Sequence, residues 1–276
     1  MTVPKKVAER ISGSLKKFQD VLQQQKDRDV SEADTVTIVK DLLCEVFGYD
    51  KFAELTSEHA IKGTYCDIAV KIESKLAFLI EVKAIGRELK ESHIKQGVDY
   101  AANQGCDWVV LTNGVQWRLY QVVFKKPIDK REISRFDLLT VNRKSEADLS
   151  KLYLLTREGF TKSALKEYID RKDATSRFVL AAIILHSPPV KSAIRSAVHR
   201  VSEILVEPEA IDRMLREEVI KRESIEGEDA DKAAKWVLKN ALKGNDKDDA
   251  AAGGAADAGA SSATTPPDPA ATPSRQ

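Results

Sequence analysis

The stretch YCDIAVKIESKLAFLIEVKA, residues 65–84, decides the fold. It reads as two strands folded back about Ser74, with Glu73, Ser74 and Lys75 as a short polar turn. In that register Cys66, Ile68, Val70 and Ile72 point to the same side as Leu76, Phe78, Ile80, Val82 and Ala84. That side is almost unbroken hydrocarbon and must lie on a core. The opposite face carries Asp67 across from Glu81, with Lys83 two residues further on. A one-residue slip would bury these charges and expose the apolar set, so the pattern specifies the register. Two carboxylates and an ammonium held on a rigid sheet form a candidate metal site.

Working outward, Val7, Ile11, Leu15, Phe18 and Leu22 recur at helical spacing, and so do Val36, Val39, Leu42, Leu43, Val46 and Phe47 after a Ser31/Asp34 capping pattern. Gly48 ends the second helix, and a first strand over Glu54 to Ile61 leads into the hairpin. A helix is expected over about 90–104. Strands at 108–112 and 115–122 are joined by Asn113-Gly114, and a last strand covers 133–139. Helices and strands in this order predict an α/β fold: a mixed β-sheet flanked by helices.

From Asn142 only helical periodicity remains, broken by Pro188-Pro189 and Pro208, and from about Asn245 small residues and proline dominate. The expected organisation is an N-terminal helix (1–30), a sheet domain (31–141), a C-terminal α-helical region (142–244) and a disordered tail (245–276).

The chain has 44 basic and 43 acidic residues, so a nucleic-acid surface would have to be a local patch. Lys125, Lys126, Lys130 and Arg131 form one such patch, and Lys191, Arg195 and His199 form a weaker helical stripe. Cys44, Cys66 and Cys106 lie in apolar segments without metal-ligand spacing and read as reduced core residues. The sequence shows no signal-peptide core and no apolar run long enough to span a bilayer, so a soluble, cytoplasmic chain is expected.

Asp67 and Glu81 are the right ligand type for Mg²⁺ (or Mn²⁺), a hard cation bound through one or two carboxylates with several waters retained. Lys83 could then stabilise an attacking hydroxide. The competing reading is a solvated ion pair, since Glu-x-Lys also occurs at Glu73/Lys75 and Glu88/Lys90. What sets Glu81 and Lys83 apart is that they interrupt an apolar run and face Asp67. On the following helix Gln96 and Tyr100 share a face, with His93 one turn earlier.

The segments SEADTVTIVKDLLCEVFGYD, SEHAIKGTYCDIAV, FLIEVKA and QGVDYAANQGCDWVVLTNGVQWRLY together resemble the N-terminal nuclease domain of type I restriction enzyme R subunits, within the PD-(D/E)XK nuclease superfamily. The resemblance covers about residues 31–139. It implies that Asp67, Glu81 and Lys83 are the D…ExK triad, that the Val82 carbonyl completes the metal's ligands, and that Gln96 and Tyr100 match the QxxxY element. Some members of that superfamily use an extra acid from the first helix or first strand, and Glu32, Glu45 and Glu58 are the candidates for one here. Cys66 stands where proline is usual. No GxxxxGK[ST] loop occurs, so a stand-alone form without the helicase motor is expected. The implied activity is Mg²⁺-dependent DNA endonucleolytic cleavage in a restriction or defence setting, with DNA as partner; the helical region, on which the resemblance is silent, could serve a protein partner. The alternative is a catalytically silent module of the same fold that binds nucleic acid or protein.

Overall fold

The computed structural model describes residues 2–61 and 64–252, apart from the side chains of 58–61, 64–65 and 241–252. It contains two compact units, residues 1–172 and 173–276.

The first unit is built on a six-stranded mixed sheet whose strands lie in chain order: β1 (Leu55–Ile61), β2 (Thr64–Ile72), β3 (Lys75–Val82), β4 (Trp108–Thr112), β5 (Gln116–Val123) and β6 (Asp129–Asp137). Only β3 and β4 run parallel, because the connection between them is the crossover helix α3 (Glu91–Gln104). One face of the sheet is covered by α1 (Lys5–Asp27) and α2 (Glu32–Glu45). α1 buries Val7, Ile11, Leu15, Phe18 and Leu22 in the core that also holds Ile68, Val70, Phe78, Ile80 and Val82. Each such side chain contributes about 1.5–3 kcal/mol when fully buried. The other face packs Ala69, Leu79, Val109 and Leu111 against Ile94, Val98 and Ala101 of α3.

The hairpin holds the expected register from Ile68↔Ile80 to Val70↔Phe78, then shifts by one residue at a bulge between Val70 and Lys71. Its turn has two residues and not three. Glu73 and Ser74 both take left-handed backbone angles (φ 50° and 64°), as a twist-matched turn demands, and Lys75 pairs with Ile72. The bulge moves Leu76 to the α3 side, contrary to the simple alternation. Cys66 also departs from it. Its thiol lies with the α3-side cluster, contacts the carbonyls of Ile68 and Ile80, and is pushed by burial up to about 12, so it stays protonated.

β6 begins earlier than expected, at Asp129, and its alternating charges suit an edge strand with one wet face. The boundary expected at 142 is not where the units divide. Helices α4 (Glu146–Tyr153), α5 (Arg157–Thr161) and most of α6 (Ala164–Ala174) belong to the sheet unit, and Leu152, Tyr153, Leu154 and Leu155 are part of its main core. Two ionic clamps fasten them. Arg10 of α1 donates to both oxygens of Glu158 (2.5 and 2.8 Å) and to the carbonyls of Val46 and Phe47, while Arg157 donates to Glu54 at 2.7 Å. Gly48 is required here. Its φ is +83°, and a Cβ would lie 2.5 Å from the Arg10 guanidinium carbon.

The second unit contains α7 (Arg177–His186), α8 (Pro188–Ser202), α9 (Pro208–Met214) and α10 (Glu228–Ala252). Ser176 caps α7 through the Val179 amide, and prolines open α8 and α9 at their first turns. Ala182 of α7 packs on Ala233 and Val237 of α10. α10 runs past residue 245, where the tail was expected to start, because its alanines favour helix over the loop that low apolar content suggests. Residues 253–276 of the expected tail lie outside the described residues. No described helix is long and apolar enough to cross a membrane.

Candidate active site

Asp67 lies where the β2–β3 ladder stops. Backbone pairing ends at Ile68↔Ile80, and the Asp67 carboxylate instead accepts the Val82 amide at 2.7 Å through Oδ2. Val82 is otherwise a core residue, so this bond fixes the acid against the end of β3. Glu81 stands one residue earlier on β3, almost wholly buried, on the side approached by α3. The approach is close because Gly97 has no side chain: a Cβ there would meet Val109 Cγ1 at 2.9 Å and Glu81 Cβ at 3.8 Å.

Lys83, 19 % exposed, follows the ladder's end, and its amide donates to the Thr112 carbonyl of the parallel neighbour. Its ammonium contacts Glu81 Oε1 at 2.7 Å and Glu32 Oε1 at 3.5 Å. The three expected residues are therefore brought together, and a fourth group joins them. Glu32 opens α2, and that helix is tied to the chain after β3 by buried Thr35, whose hydroxyl accepts the Ile85 amide and donates to the Ser31 carbonyl. Of the other two candidate acids, Glu45 is engaged elsewhere. Glu45, at the far end of α2, pairs with Lys17 at 2.7 Å, and the Glu58 side chain lies outside the described residues.

Electrostatically the carboxylates of the cluster act on one another. Burial pushes the Glu81 carboxyl up, and although Lys83 pulls it back, Asp67 and Glu32 push it further. For Lys83, burial is the largest single influence and pulls down, yet Glu81, Glu32 and Asp67 together outweigh it and leave the ammonium above its ordinary value. Two carboxylates, Glu81 and Glu32, thus share one ammonium in a half-enclosed site, with Asp67 close enough to influence both Glu81 and Lys83. All the carboxylate donors are hard oxygens, and they fit a divalent cation that keeps part of its water shell. Among the described residues no group of three or more His, Cys, Asp or Glu side chains is arranged as a complete metal cage. The oxygen donors offered to such an ion are the carboxylates of Asp67 and Glu81.

Because folding holds Glu81's carboxyl above its unfolded value, that group favours the fold below the ordinary glutamate range, and the contribution is lost as pH rises through its folded value. In chelator, Glu81→Gln should melt above the wild type at neutral pH, with the gap closing in acid. Mg²⁺ should stabilise only the wild type. A glutamine variant that melts lower at neutral pH in chelator would mean the carboxylate is not the strained member.

Gln96 and Tyr100 line one shallow depression on α3 with Ser92, Lys95 and Asp99, Gln96 exposed in it and Tyr100 mostly buried against the sheet. The expected basic patch is partly neutralised, with Lys125 on Asp129 at 2.9 Å and Lys130 on Glu91 at 2.7 Å. In the stripe on α8, Lys191 pairs with Asp212 and Arg195 donates to the Val206 carbonyl.

An α/β sheet protein with two acids and a lysine gathered at the divergent end of neighbouring strands is the class defined by this fold and site. Residues 38–135 match the family described as Type I restriction enzyme R protein N terminus, and this stretch contains Asp67, Glu81, Lys83, Gln96 and Tyr100. No curated protein and no solved structure was matched.

Proposed function

We propose that the sheet unit is a metal-dependent DNA endonuclease of the restriction type, cleaving by hydrolysis without a covalent enzyme intermediate. The observation that carries this reading is the sharing of the Lys83 ammonium by buried Glu81 and Glu32, beside Asp67 fixed on the Val82 amide. Asp67 and Glu81 would hold Mg²⁺ or Mn²⁺, with the Val82 carbonyl as a further oxygen ligand. The ion, when bound, supplies charge neutralisation at the phosphate and a more acidic water. Lys83 orients the attacking water and stabilises the negative charge that builds as its oxygen bonds to phosphorus. Water adds across one P–O ester bond and leaves a phosphomonoester and an alcohol. Gln96 contributes by positioning substrate on the exposed side of α3, and buried Tyr100 supports that helix. The family match supports a restriction setting, with DNA as the partner.

The test is incubation of the protein with linear, supercoiled and single-stranded DNA, with Mg²⁺, Mn²⁺ or chelator. Cleavage that needs the metal and vanishes in Asp67→Ala is the expected result. Binding of DNA with no cleavage under any metal would replace this reading by that of a silent nucleic-acid module.

A further inference from the structure

His93 lies in the first turn of α3, four residues before Gly97, and so on the helix face that approaches Glu81. Its ring is oriented by a bond seldom supplied by histidine. The Lys90 amide, an unsatisfied donor at the start of the helix, donates to His93 Nδ1 at 3.2 Å. A neutral imidazole with Nδ1 accepting must carry its proton on Nε2. Nε2 meets no partner among the described residues. Burial first, then the charges of Lys83, Lys90 and Arg87, hold the ring below its ordinary value, so it is neutral at physiological pH. The Arg87 carbonyl is itself anchored by the Asn113 side chain at 2.8 Å, which fixes the loop carrying two of these cations.

A fixed, neutral N–H donor on which Lys83, Lys90 and Arg87 act more strongly than the carboxylate of Glu32 suits an anionic oxygen. Glu32, the carboxylate felt by the ring, already contacts Lys83. We propose that His93 is a substrate-binding residue whose Nε2–H donates to a non-bridging phosphate oxygen of the nucleic acid beside the Asp67, Glu81 and Lys83 cluster. This rests on the nucleic-acid reading above and adds to it a residue and a role. General acid catalysis is not that role, since neutral imidazole does not release its Nε2 proton at accessible pH.

His93→Asn keeps an acceptor near the Nδ1 position for the Lys90 amide but cannot reach the phosphate, whereas His93→Gln places an amide N–H near the Nε2 position. A hydrogen bond to a charged group corresponds to about tenfold or more in affinity. Binding of a duplex oligonucleotide is read by fluorescence anisotropy with Ca²⁺ replacing Mg²⁺, and cleavage in Mg²⁺ is followed separately. His93→Asn should weaken binding and raise KM by about tenfold with kcat changed by no more than about twofold, and His93→Gln should restore most of the loss. His93→Ser, which caps from a shorter side chain, must show the same deficit should the asparagine variant fold poorly. Binding by both shortened variants within about twofold of wild type, or no rescue by glutamine, overturns the assignment. If the wild type binds DNA without cleaving it, the nuclease reading fails while the binding series still decides His93. If it binds no DNA, both fall.

Discussion

Replacing Lys83 with alanine should leave divalent-metal binding intact or strengthened while slowing DNA cleavage by on the order of a hundredfold or more. The two effects have opposite signs because the ammonium stands in two relations at once. It contacts Glu81 at 2.7 Å, so before metal binds it is the positive charge that lets the carboxylates approach one another. Its removal takes the paired cation from Glu81 and Glu32 and makes a divalent cation more welcome. In the proposed reaction the same group, only 19 % exposed, would sit where solvent screens little of the charge that builds on the phosphate. Asp67→Ala and Glu81→Ala should behave differently, losing metal binding and cleavage together, because each removes an oxygen donor. Calorimetric titration of Mg²⁺ or Mn²⁺ alongside a cleavage assay separates the cases. A Lys83→Ala protein that cleaves at the wild-type rate would assign the lysine to charge balance alone.

The hairpin's register and the meeting of Asp67, Glu81 and Lys83 were legible in the sequence because alternation is a local signal, and each strand states which face it hides. The bulge after Val70 was not, since nothing in VKIESK separates a two-residue from a three-residue turn except the fit of both strands to their neighbours. Glu32 could be named but not chosen. Its place beside Lys83 depends on how α2 lies across the sheet, a matter settled by Thr35 and the chain at Ile85, far apart in sequence. The boundary at 142 failed for a related reason. Loss of strand pattern marks a change of secondary structure, whereas unit membership follows burial, and Leu152 to Leu155 complete the sheet's core. The family match ends at residue 135 and is silent on the helices beyond.

A glycine in the middle of an amphipathic helix costs about 1 kcal/mol against alanine, and Gly97 sits there in α3. What the missing side chain allows is contact of the helix with β3 and β4 at the level of Glu81, where a Cβ would stand 2.9 Å from Val109 Cγ1. Val109 is fully buried on a strand, and its branched side chain has little rotamer freedom with which to yield. Gly97→Val should therefore lift α3 from the sheet and destabilise the protein by roughly 3 kcal/mol. Val109→Ala alone should cost roughly 2 kcal/mol through the space it opens. Combined, the substitutions exchange volume across one contact, so the double variant should be more stable than the sum of the two predicts by at least about 1 kcal/mol. Denaturant unfolding of the four proteins measures that coupling. Cleavage should follow it, falling in Gly97→Val as Glu81 loses the neighbour that holds it and partly returning in the double variant. Additive stabilities would show that the contact is slack, and that some other feature of α3 sets the position of Glu81.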